Sequence, residues 1–183
     1  MKFSLTAVLF SLFSLTSAYD WTYGNITLYH SESAYCSPST YLTREYKEPL
    51  DGFIPTYAIS DTNHDTHGYI GYQPSSQSIT VSFRGSESIS NWLSNLDAVL
   101  TDYPNCSACK VHKGFYAAEQ EVFPEIKSEV DKLIQKYPDY QVLVTGHSLG
   151  AALATLTALD LSLSGIKNIR MFNYGSPRVG NTA

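Results

Sequence analysis

The sequence is short of positive charge. Its 183 residues carry 12 Lys and Arg against 17 Asp and Glu, a formal net charge of −5. No run of five Lys or Arg occurs. A nucleic-acid binder needs a basic face, so the composition argues against one. Glycine and proline are few, at 11 and 8, which excludes a collagen-like or low-complexity chain. Only 16% of residues are charged while 43% are hydrophobic, the reverse of a disordered composition. No stretch of 18 uncharged apolar residues exists beyond the N-terminus, so no transmembrane segment is expected. Histidine is absent after His147, and Asp160 is the only acid after Ser148. The length suits one globular domain.

The N-terminus has the layout of an export signal. Met1-Lys2 is a positive start, Phe3 to Leu15 is apolar but broken by four hydroxyl residues, and Thr16-Ser17-Ala18 is a small-residue cleavage site. The apolar stretch is too short and too rich in serine and threonine to span a bilayer. Residues 1–18 are therefore read as a signal peptide, and the protein is expected to be secreted and extracellular.

Export gives meaning to the three cysteines. Cys106 and Cys109 lie in a turn-rich loop after Asp102-Tyr103-Pro104-Asn105; an oxidising compartment favours a small local disulfide there. No strand–CxxC–helix context supports a redox pair. Cys36 is left over: either it is free, or its partner lies outside this chain. Zinc needs four ligands, and Cys36, His64, His67 and His112 offer no second close pair of thiolates. His64-Asp65-Thr66-His67 is read as a polar turn; no metal site and no cofactor is expected. Asn25-Ile26-Thr27 is a glycosylation acceptor, with Asn105-Cys106-Ser107 a weaker one.

Patterning sets out an α/β chain. Tyr19 to Lys47 is weakly periodic, expected as helix and loop over a core. His67 to Gln73 and Ser78 to Arg84 are neighbouring strands joined by Pro74-Ser75-Ser76-Gln77. In the second, Ile79, Val81 and Phe83 alternate with Thr80, Ser82 and Arg84, the pattern of a half-buried strand. Ser88 to Leu96 reads as a short helix with Ile89, Trp92, Leu93 and Leu96 on one face. Glu121 to Tyr137 is a longer amphipathic helix that Pro124 should start or kink. Gln141 to Thr145 is a strand, Leu149 to Leu163 a helix apolar nearly all round and hence buried, and Ile169 to Tyr174 a strand. This alternation predicts a mostly parallel central sheet with flanking helices.

Gly146-His147-Ser148-Leu149-Gly150 falls between that β-branched strand and the buried helix. A serine there occupies a sharp, strained bend, and two glycines remove the Cβ atoms that would collide in it. The helix that follows presents free N–H groups, so Leu149 can donate to an oxyanion.

With this motif the chain resembles the class 3 lipases, a family of secreted fungal lipases and feruloyl esterases with an α/β-hydrolase-like fold. The matching stretches are Val81-Ser82-Phe83-Arg84-Gly85-Ser86, Ser88-Ile89-Ser90-Asn91-Trp92, Val111-His112-Lys113-Gly114-Phe115, Val144-Thr145-Gly146-His147-Ser148-Leu149-Gly150 and Gly175-Ser176-Pro177-Arg178-Val179-Gly180. They run in the family's order across most of residues 50–183. The resemblance implies that Ser148 is the nucleophile and that Ser86 and Leu149 supply the oxyanion-hole N–H groups. It implies a lid carrying Ile89, Trp92, Leu93 and Leu96. It also matches Cys106–Cys109 to a local disulfide, and Cys36 to a cysteine that bridges to one near the C-terminus.

One departure stands out. A serine needs a base, and α/β-hydrolases place the acid and the histidine after the serine. Asp160 lies too early, inside the buried helix. His147 is the serine's chain neighbour, and His112 suits a structural hydrogen bond. The absent base and the odd cysteine together lead to the expectation that residues 19–183 are a C-terminally truncated catalytic domain. The function expected is secreted ester hydrolysis, with an acylglycerol at a lipid–water interface as substrate. The alternatives are a feruloyl or other cell-wall esterase, and a non-catalytic hydrolase-like binding protein.

Overall fold

A computed structural model describes residues 20–86 and 99–182. The expected leader and the lid residues Ile89, Trp92, Leu93 and Leu96 lie outside the described residues. A five-stranded sheet forms the centre, in the order β1(Ile54–Asp61)–β2(Thr66–Gln73)–β3(Ser78–Phe83)–β6(Gln141–His147)–β7(Ile169–Tyr174). The first two pairings are antiparallel and the last two parallel. The sheet is thus mixed. The four-residue connection after Gln73 can only return the chain antiparallel, whereas β3 reaches β6 through a long helical crossover. β4(Leu100–Asp102) and β5(Lys110–His112) form a separate small ribbon.

Helices cover both faces of the sheet. On one side α3(Lys113–Lys136) and α4(Leu149–Leu163) bury Phe115, Val122, Ile126, Val130, Leu153, Leu156 and Leu161 against Ile79, Val81 and Val144. α3 begins at Lys113, eight residues before the expected start. His112 caps it, with Nδ1 accepting from the Phe115 N–H at 3.3 Å. Pro124 lies inside this helix, on its exposed side. Its first turns bury the Glu119 carboxyl beside Phe115 and Ala118, which interrupts the apolar stripe ahead of Glu121.

On the other side α1(Trp21–Ser33) buries Ile26 in a small apolar cluster and otherwise packs through hydrogen bonds. It buries Thr27, His30, Ser31 and Ser33. Asp20 caps its N-terminus, accepting from the Thr22 and Tyr23 N–H groups. The Ser82 hydroxyl donates to the His30 carbonyl at 2.9 Å, and Ser31 meets Thr145 at 2.8 Å. All six residues of β3 are therefore buried, which corrects the expected half-exposed strand. Thr80 and Ser82 face a polar helix, not water. α2(Pro38–Tyr41) closes this side, with Tyr41 tilted and Phe53 edge-on against Tyr69.

Candidate active site

The site begins where β6 stops. Ser148 has φ 55° and ψ −122°, a conformation that L residues rarely adopt, and α4 starts at the next residue. Two glycines allow the bend. A Cβ at Gly146 would stand 2.3 Å from the Gly150 carbonyl, and one at Gly150 would stand 2.5 Å from the Phe83 carbonyl oxygen and 2.7 Å from that of Arg84. The start of α4 is thereby pressed onto the end of β3. The Ser148 N–H donates to the Tyr174 carbonyl at 3.0 Å, tying the bend to β7. No side chain caps the start of α4, which leaves its first N–H groups available to a ligand.

Ser86 arrives from the other side. It follows β3 through Arg84 and Gly85, and Arg84 is anchored to both oxygens of Asp65 at 3.0 Å. A Cβ placed on Gly85 would lie 3.3 Å from the Ser148 Cβ, so the Ser86 loop and the serine bend touch. Ser86 lines a cavity of about 600 Å³ with Leu28, Glu32, Tyr35, His147 and Tyr174. Ser148 is 5% exposed, with β3 and β6 both ending at this mouth. Ligands of open α/β sheets bind at such strand ends.

The histidines are engaged elsewhere. His30 is buried, with Nδ1 2.8 Å from the Tyr69 hydroxyl, and burial drives its pKa down to about 3. His64 pairs with Asp61 and His67 with Asp65, the polar turn expected at the β1–β2 tip. His112 stacks on Phe115. His147 Nδ1 meets the Tyr35 hydroxyl at 2.7 Å. Asp160 is bonded by Tyr103 and by Gln120. Among the described residues no group of three or more His, Cys, Asp or Glu could hold a metal ion, and no helix is long and apolar enough to cross a membrane.

Cys106 and Cys109 are joined in the loop between β4 and β5, and the Cys36 thiol is free. Asn25 is exposed, on a helix rather than a loop. The Thr27 of its acceptor triplet is buried and bonded to the Tyr23 carbonyl at 2.7 Å. Tyr35, in contact with both Gly85 and His147, was missed by the sequence reading. It sits in a weakly periodic segment and no motif marks it.

A strained serine between strand and helix, with a second loop brought against it, defines the hydrolase elbow. The Lipase (class 3) family model matches residues 80–183, and the chain belongs to the class 3 lipase family. It is 38% identical over 133 residues to the secreted mono- and diacylglycerol lipase A of Penicillium cyclopium, covering 72% of this chain and 44% of that one. The Rhizomucor miehei triacylglyceride lipase structure aligns with a TM-score of 0.80 at 34% identity, over 88% of this chain and 63% of that one. A triacylglycerol lipase whose catalytic centre is described as a serine protease triad aligns with a TM-score of 0.79 at 35% identity, over 88% and 63%. The chain spans less than half the length of the curated relatives it matches.

Proposed function

We propose that Ser148 is the nucleophile of a secreted carboxylic-ester hydrolase acting on acylglycerols. The observation that carries this reading is the positive φ of Ser148 at a strand–helix junction with the Ser86 loop against it. In the proposed step the Ser148 Oγ bonds to the ester carbonyl carbon. The carbonyl oxygen takes the electron pair and is received by the N–H groups of Leu149 and Ser86. Collapse expels the alcohol, which takes up the proton that Ser148 gave to a base. Water then attacks the acyl-serine and frees the acid. All five imidazoles have partners elsewhere, so none is assigned as that base.

Relatives named as acylglycerol lipases support the substrate class. The leader-like residues 1–18 and the Cys106–Cys109 bond support export. The test is p-nitrophenyl butyrate hydrolysis by the full-length gene product and its Ser148→Ala variant. Loss of the nucleophile costs on the order of 10⁶ in turnover in a well-studied serine hydrolase, so activity should fall to background. A Ser148→Ala enzyme as active as wild type would end the proposal.

A further inference from the structure

The β3–β6 ladder has its last rung at Phe83 opposite Gly146. Beyond it the ladder hydrogen bonds stop while the backbones stay close: a Cβ on Gly85 would stand 2.6 Å from the His147 carbonyl oxygen. One backbone runs through Arg84 and Gly85 to Ser86, the other through His147 to Ser148. An oxyanion hole built from both needs its donors held at about 2.7–3.1 Å from one point. A side chain placed over both strand ends can fix that approach.

Tyr35 occupies that position. It follows α1 and reaches over both strand ends. Its hydroxyl lies against the backbone of Gly85 and 2.7 Å from His147 Nδ1. The phenol has a single proton, and in the bridging arrangement it gives that proton to Nδ1. This leaves the His147 ring proton on Nε2, the edge that faces Gly175, where an added Cβ would stand 3.5 Å from Nε2. The fit is close: a Cβ on Gly85 would stand 2.3 Å from the hydroxyl, so only glycine admits it. An ordinary phenol, with pKa about 10, is protonated at neutral pH and so able to donate.

We infer that Tyr35 is a positioning residue that sets the spacing between the Ser86 and Ser148 arms of the site by bridging Gly85 to His147. The inference rests on the reading of Ser148 and Ser86 given above. The bridge joins the residue before one oxyanion donor to the residue before the nucleophile. Tyr35→Phe keeps the ring that lines the cavity and removes only the hydroxyl that meets His147, so it loosens the hole while leaving the cavity wall in place. The loss should appear in the transition state and not in ground-state binding.

The experiment compares full-length wild type with Tyr35→Phe, His147→Leu, His147→Asn, the Tyr35→Phe/His147→Leu pair and Ser148→Ala. Tyr35→Phe should lower kcat about 10- to 100-fold, since sub-ångström to ångström misplacement costs that much, with KM held within about threefold. Affinity for an alkyl boronic acid, whose adduct on serine presents an oxyanion, should fall by the same factor as kcat. His147→Asn keeps an acceptor close to the place of Nδ1 and should restore most of the rate that His147→Leu loses. The double variant should be no slower than the slower single one, as expected for two ends of one contact. A Tyr35→Phe kcat within about twofold of wild type overturns the inference. So does additive loss in the double variant, or boronate affinity that stays at the wild-type value while kcat falls. Full activity in Ser148→Ala sinks the reading of the site itself. Loss there with wild-type turnover in Tyr35→Phe sinks only this inference.

Discussion

Glu119 and Asp160 sit on either side of one amide: Gln120 donates to the Glu119 carboxyl at 2.8 Å and to the Asp160 carboxyl at 2.9 Å. Both acids lie where α3 packs on α4, with the Thr157, Tyr103 and Tyr116 hydroxyl-bearing side chains around them. Burial, with Asp160 adding to it, raises the Glu119 pKa from 4.5 to about 7. The folded state therefore holds a proton that the unfolded chain has released between pH 4.5 and 7. Stability is full below pH 4.5 and is lost as pH rises toward 7, by at most about 3 kcal/mol from this group. Glu119→Gln keeps an acceptor for the Gln120 amide; Thr157, which donates to Glu119, would then meet an amide N–H and accept from it after its hydroxyl rotates. The substitution should raise Tm at pH 8 by several degrees and change it little at pH 4. Melting curves across pH 4–8 check this, and parallel Tm profiles for variant and wild type would refute it.

His30 works in the opposite sense. Its ring faces Tyr69, Thr80 and Phe53, and burial lowers its pKa from 6.5 to about 3. The unfolded chain takes up a proton below pH 6.5 that the folded state refuses. Stability is present above pH 6.5 and is lost as pH falls toward 3, by up to about 5 kcal/mol. Between pH 4.5 and 6.5 the two groups offset one another. His30→Gln should flatten the acid limb of the Tm profile whatever its effect at pH 7. An acid limb of unchanged slope would show that the proton enters elsewhere.

These polar contacts also mark how far the sequence could be read. β6, Ser148 and α4 were legible because three signals agree there: Val-Leu-Val for a strand, glycines for the bend, and a helix apolar all round. α4 and β7 have the bounds expected for them. α1 gave no stripe because its buried face is Gly24, Ile26, Thr27, His30, Ser31 and Ser33, of which Ile26 is the one large apolar side chain and the rest are small or hydrogen-bonded. β1 went unassigned, since Pro55 sits at a register shift that breaks the alternation. Ser86 and Leu149 could be proposed from a motif, whereas Tyr35 could not. Its role exists only once α1 is folded across β3 and β6.

Gly150 separates packing from backbone strain. An alanine there would push a Cβ to 2.5 Å from the Phe83 carbonyl oxygen, moving the strand end that leads to Ser86. Gly165, with φ +103° and open space around it, serves as the control. Gly165→Ala should cost roughly 1–2 kcal/mol of stability through its backbone alone and leave turnover per folded molecule unchanged. Gly150→Ala should lose at least about 100-fold in turnover in whatever fraction folds. Active-site titration with a fluorophosphonate alongside esterase assays measures both. Equal specific activity in the two variants would mean that the α4–β3 approach does not set the site.

Replacing Trp92 tests a lipid substrate against a dissolved one. Trp92 shares an apolar face with Ile89, Leu93 and Leu96 in the sequence pattern, and such a face favours a lipid interface. Burying or docking an aromatic side chain of this size contributes roughly 1.5–3 kcal/mol. Trp92→Ala in the full-length protein should therefore lower activity on emulsified tributyrin about tenfold or more beyond its effect on dissolved p-nitrophenyl butyrate. Parallel assays below and above the solubility limit of one triacylglycerol add a second readout: the variant should lose the rise in rate that appears when droplets form. Equal losses on both substrates would assign Trp92 to the core. The feruloyl or other soluble-ester alternative would then be the better account of the same serine site.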